Sequence, residues 1–171
     1  QSPEHLTILG ELRSAIAAGQ LELHFQPKVR VATGEPIGAE ALLRWRHPTK
    51  GLMPPGLFIP LTEETDLIHP VSAWVVRDAL RQLGEWRRQG IGGSMAINIA
   101  PRNLLDAGFP VEMAKAISDS RADPSRLMPP GWHCPARSCR RRALSLRSRH
   151  DQRSAVLRRR LGVRVLAAHG A

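Results

Sequence analysis

Leu6, Leu9, Leu12 and Ile16 recur at helical spacing within residues 5–18, and Gly19 follows them. That pattern predicts an amphipathic helix with one apolar face, stopped by glycine. The period changes at Leu21. Leu21, Leu23 and Phe25 alternate with Glu22, His24 and Gln26, which predicts a strand ending near Pro27. "VATGEP" predicts a turn, and residues 37–45 a second strand. "HPTKGLMPPG" reads as a loop, and "LFIPLTEETDL" as a segment holding a short helix. Pro70 is expected to open a long helix reaching about Gln89, because its fixed φ suits the first helical position. Val71, Trp74, Val75, Ala79, Leu83 and Trp86 form the apolar stripe of that helix, and Gly90 ends it. "SMAINIA" is short and mostly apolar, as in a strand buried in a parallel sheet. "PRNLLD" and "PVEMAKAISDSR" read as helical, and "ADPSRLM" as a loop leading into a fourth strand. Strand and helix alternate, which points to a parallel α/β fold without internal repeats.

A length of 171 residues suffices for one globular domain with a real core, and a hydrophobic fraction of 42% agrees. No apolar run approaches the roughly 20 residues of a membrane-spanning helix. No basic-then-apolar secretory signal opens the chain, and two cysteines do not argue for a disulfide framework. The expected compartment is the cytoplasm. A first residue of Gln1, not Met, suggests a piece of a longer protein.

Charge divides the chain. Residues 1–128 hold equal numbers of basic and acidic side chains, so the net charge of +10 belongs to residues 129–171. That segment carries eleven arginines, no lysine and one carboxylate, Asp151. Two domains are expected on this basis, 1–128 and an Arg-rich tail over 129–171.

"GAEALLRWRHP" sets one carboxylate, Glu40, among Ala39, Ala41, Leu42 and Leu43. A buried carboxylate is costly unless paired, hydrogen-bonded or bound to a metal. Read on its residues alone, Asn98 ranks first as a helix cap before "PRN". Gln26 then reads as a turn residue before Pro27, and Arg44 and Arg46 as solvated strand ends.

"FQPKV", "GAEALLRWRHP", "FIPLTEETDLI" and "INIAPRNL", with the intervening tryptophans, stand in the order and spacing of the EAL family, which this chain resembles from about residue 5 to 128. The resemblance implies a phosphodiesterase lineage that hydrolyses cyclic di-GMP. It also implies a TIM-like (β/α) barrel with one antiparallel strand and its site at the C-terminal strand ends. By position, Glu40 and Asn98 correspond to metal ligands, with Mg²⁺ or Mn²⁺ as the implied cofactor. Gln26 and Arg44 correspond to substrate-binding positions, and a planar guanidinium suits phosphate oxygens. Cyclic di-GMP is the implied partner and a homodimer through the EAL domain is a second, and no membrane segment is expected in this chain.

The resemblance stops after Met128. The family's next glutamate ligand falls near position 130, where the chain reads Pro129, Pro130 and Gly131, and its paired aspartates fall at "LRRRL". The expected fold is therefore a partial α/β barrel of the EAL type with a non-family basic tail, inactive as a hydrolase. Shifted reading of GAC codons yields arginine, so out-of-frame translation is the expected origin of the tail. A degenerate module that binds cyclic di-GMP or a protein without hydrolysis is the first alternative. Nucleic-acid binding through the arginines ranks lower, since no aromatics interleave them. His133, Cys134, Cys139 and His150 match no standard zinc spacing, and a basic helix over 153–165 is a further possibility.

Overall fold

The computed structural model describes residues 3–120 and 123–128. The Arg-rich segment, its His and Cys residues and the basic helix expected over 153–165 lie outside the described residues. In chain order the elements are α1 (Pro3–Ala17), β1 (Leu21–Val29), β2 (Pro36–His47), β3 (Gly51–Met53), α2 (Ile59–Glu63), α3 (Ile68–Arg88), β4 (Ser94–Ile97), α4 (Pro101–Leu104), α5 (Phe109–Ser120) and β5 (Leu127–Met128).

β2 is the central strand. β1 runs antiparallel along one edge, from Leu21 opposite Trp45 to Val29 opposite Pro36. Trp45 also pairs with Met53, so β3 must take the other edge. β4 lies parallel to β2, with Glu40 opposite Ala96, and β5 lies parallel to β4.

Alternation in the strands decides which face the helices cover. Leu21, Leu23, Phe25, Ala39, Ala41, Leu43, Trp45, Met95 and Ile97 are all buried and join one apolar cluster with α1 and α3. Phe25 meets Trp86 of α3 edge-on at 5.3 Å, and Trp45 meets Phe58 at 5.7 Å. The even-numbered residues of β1 and β2 point to the opposite face. That face carries the polar groups Glu22, His24, Gln26, Glu40 and Arg44, together with Leu42.

Several expectations shift in detail. The buried face of α1 is Ile8, Leu9, Leu12 and Ala15, while Leu6 is exposed. Leu6 falls in the opening turn of the helix. α3 begins at Ile68, two residues before Pro70, because the first helical turn needs no backbone donor from any of its residues. Trp74 is only half-buried at the edge of the stripe. The expected loop after His47 contains β3, closed by Gly51 at φ 72°. Among the described residues no helix is long and apolar enough to cross a membrane.

Candidate functional site

Register brings the candidate residues together. Gln26 of β1 stands directly opposite Glu40 of β2, and Glu40 stands opposite Ala96 of β4. Asn98 lies two residues beyond Ala96 and returns to the same face. Its Nδ2 donates a hydrogen bond to Glu40 Oε1 at 3.1 Å, across 58 residues of sequence. Glu40 is half-buried, not enclosed as its apolar neighbours suggest, because Ala39 and Ala41 turn to the helix side while Glu40 turns away. Asn98 does not cap α4. The N-cap of that helix is Ala100, with no side-chain cap bond, and the asparagine buried in the helix is Asn103.

Arg44 shares the face of Glu40 but lies four residues along β2, about 13 Å away at strand rise. Its Nη1 donates to Leu43 O at 2.7 Å, and it has no ion-pair partner among the described residues. Burial pulls its pKa below the ordinary value, yet a guanidinium remains charged at any working pH. Arg46, two residues on, is engaged instead: its Nε and Nη2 grip the Glu22 carboxylate at 3.0–3.2 Å. Glu22 Oε1 also meets His24 Nε2 at 2.8 Å. An apolar cleft of about 390 Å³ opens beside Asn98, lined by Leu42, Pro55, Ile59, Pro60 and Ile99.

A pair of divalent cations is a poor fit to these donors. Mg²⁺ demands six oxygens in octahedral array, and a two-ion centre needs several carboxylates to bridge and flank the ions. The site offers one carboxylate, Glu40, and the side-chain amides of Asn98 and Gln26. The Asn98 amide presents its nitrogen to Glu40. Among the described residues no three His, Cys, Asp or Glu side chains come together as a metal set. Residues 129–171 contain one side-chain carboxylate, Asp151.

Two features escaped the sequence reading. His47 is buried and bonded on both ring nitrogens, and Gly38 and Gly93 let β2 and β4 meet backbone to backbone. The glycine of "GAEAL" and the pair in "GIGGS" were visible signals of close strand approach.

An open sheet with helices on one face and convergent polar groups on the other defines part of an α/β barrel. A family model described as EAL domain matches residues 9–128. The chain belongs to the EAL domain family. It is 40% identical over 126 residues to the bifunctional diguanylate cyclase/cyclic di-GMP phosphodiesterase MucR of Pseudomonas aeruginosa, covering 73% of this chain and 18% of that protein. It is 44% identical over 103 residues to the cyclic di-GMP phosphodiesterase PdeR of Escherichia coli, covering 60% of this chain and 15% of that one. The solved structure of PaMucR phosphodiesterase in its c-di-GMP complex is similar, with a TM-score of 0.69 and 34% identity. That likeness covers 91% of this chain and 59% of the solved one. The chain thus spans less than a fifth of the length of these curated relatives, and its fold is an incomplete TIM-like barrel.

Proposed function

We propose that this chain is an EAL-type cyclic di-GMP phosphodiesterase domain that retains the opening part of the family site and has lost turnover. Residues 1–128 are the EAL portion, and residues 129–171 are an Arg-rich tail of separate, out-of-frame origin. The observation that carries the reading is the Asn98–Glu40 hydrogen bond with Gln26 in register beside it. It gathers three of the family's positions on one face of the sheet. Arg44 supplies a phosphate-seeking cation further along the same face.

The residues present can bind and orient a phosphodiester, through Arg44 and the Gln26 amide, but cannot complete hydrolysis. A Mg²⁺ or Mn²⁺ pair would supply the activated water and the charge stabilisation, and the donor set is too small to hold it. The test is Mn²⁺-dependent conversion of cyclic di-GMP to the linear dinucleotide. No turnover above buffer is expected. Brisk cleavage that disappears in Glu40→Ala overturns the reading.

Binding without hydrolysis is the second reading, and the shared face of Gln26, Glu40 and Arg44 favours it. Calorimetry with cyclic di-GMP decides it: no heat of binding excludes a sensor. The origin of the tail is decided on the coding DNA around codons 120–135. One small insertion or deletion is expected to restore acidic family motifs downstream.

A further inference from the structure

We infer that Gly38 is a positioning residue for the Glu40–Asn98 pair, because it lets β2 and β4 approach more closely than a side chain at that position permits. The inference rests on the reading that the pair belongs to the ligand site. Gly38 stands opposite Ser94 in the parallel register, two residues before Glu40 and on the same face. A Cβ on Gly38 would lie 2.3 Å from Ser94 O and 2.8 Å from Ser94 Oγ. The first of these is a backbone atom and cannot swing aside.

From the other side, Gly93 adopts φ +125°, a conformation that L side chains rarely enter. A Cβ there would stand 3.2 Å from Gly38 Cα and from Ile37 O. Two glycines therefore face each other where the strands meet, with no side chain between. An added methyl must push β4 off β2 by about 1 Å to reach ordinary contact distance. Glu40 lies two residues further along β2, and Asn98 directly follows Ile97, the last residue of β4. Their 3.1 Å bond has no such slack, since a hydrogen bond of this kind fades by about 3.5 Å. The adjoining strand steps thus convert a missing side chain at 38 into the spacing of the polar pair.

The experiment uses the full 171-residue chain, ¹⁵N-labelled, without ligand. Glu40→Ala is expected to move the Asn98 side-chain amide resonance in the parent. In a Gly38→Ala background the same change is expected to move it no further, because the bond is already broken. Gly84→Ala, where an added methyl meets nothing within 4 Å, serves as the matched control and should respond like the parent. A parent-like Asn98 response in Gly38→Ala overturns the inference. If Gly38→Ala yields no folded protein, Ser94→Val carries the test, since it crowds the same contact through a side chain. The same loss is expected there, and a parent-like response overturns.

Calorimetry with cyclic di-GMP adds a second readout, with binding weaker by roughly tenfold or more in Gly38→Ala and unchanged in Gly84→Ala. Equal affinity in both overturns the inference. A parent that binds no cyclic di-GMP defeats the sensor reading, while the amide resonance still decides the role of Gly38.

Discussion

His47 ties three pieces of chain together with one imidazole. Its Nε2 meets Glu11 Oε2 of α1 at 3.0 Å, and its Nδ1 accepts from the backbone N–H groups of Thr49 and Lys50 at 3.2 Å. Two donors aimed at Nδ1 fix the tautomer, so Nε2 carries the hydrogen and donates to the carboxylate. The ring also lies against Trp45 at 4.8 Å. This single residue joins the first helix, the central strand and the turn into β3. His47→Leu keeps an apolar body of similar size but strips the acceptor from two backbone donors. It is expected to cost about 2 kcal/mol, read as a fall in the urea midpoint. Glu11→Gln, which retains an acceptor for Nε2–H, is expected to cost less than half as much on the same scale.

Among the elements, α3 is the one whose ends and faces the chain specifies most fully. Ile91 N donates to Trp86 O at 2.8 Å and Gly90 N to Arg87 O at 3.0 Å, the paired bonds of a Schellman cap. Gly90 takes φ 71° to make that turn. Gly90→Ala is expected to lower stability by about 1 kcal/mol, since a Cβ is strained there. The preceding turn adds a charge. Hydrogen bonds from Arg88 and Gln89 hold the Glu85 carboxyl below its usual pKa. A depressed carboxylate contributes stability above its unfolded pKa and loses it as pH falls through the folded one. The melting-temperature gap between the parent and Glu85→Gln, present at neutral pH, is therefore expected to close on acidification below the carboxylate range.

α3 was also legible in advance, because a 21-residue amphipathic segment repeats its period often enough to read. β1 and β2 were legible for the same reason at period two. β3 was not: three residues hold no period, and its pairing depends on Trp45 across the turn. The site divides similarly. Gln26, Glu40, Arg44 and Asn98 were singled out by the resemblance to the EAL family, whereas the bond between Asn98 and Glu40 follows β2–β4 register, which no local pattern encodes. The half-burial of Glu40 follows from pleat alternation, and averaging its apolar neighbours conceals it.

At the scale of the molecule, the described sheet is open, and its first strand is the long exposed edge. β1 pairs only with β2 among the described residues. Arg46 N donates to Gln20 O at 2.8 Å, so even-numbered residues of β1 turn their backbone groups to β2. Leu21, Leu23, Phe25 and Pro27 then turn theirs outward. Pro27 has no N–H to leave unpaired, and exposed Lys28 beside it discourages a second strand, both ordinary protections of an edge. They guard only one end. Among the described residues, Leu21, Leu23 and Phe25 turn their backbone groups toward no partner strand. Leu104, Leu105 and Val111, exposed at 70%, 87% and 70%, add apolar surface elsewhere. A complete barrel abolishes such edges by closing its strands on one another. The five described strands do not close on one another, and parallel strands depend on neighbours at both edges. The chain is therefore expected to associate. Sedimentation velocity over a tenfold concentration range should show a weight-average mass rising above the monomer, and the thermal transition by circular dichroism should be broad. A monomer at every concentration with a sharp cooperative melt would mean that the outward groups of β1 are satisfied within the chain itself.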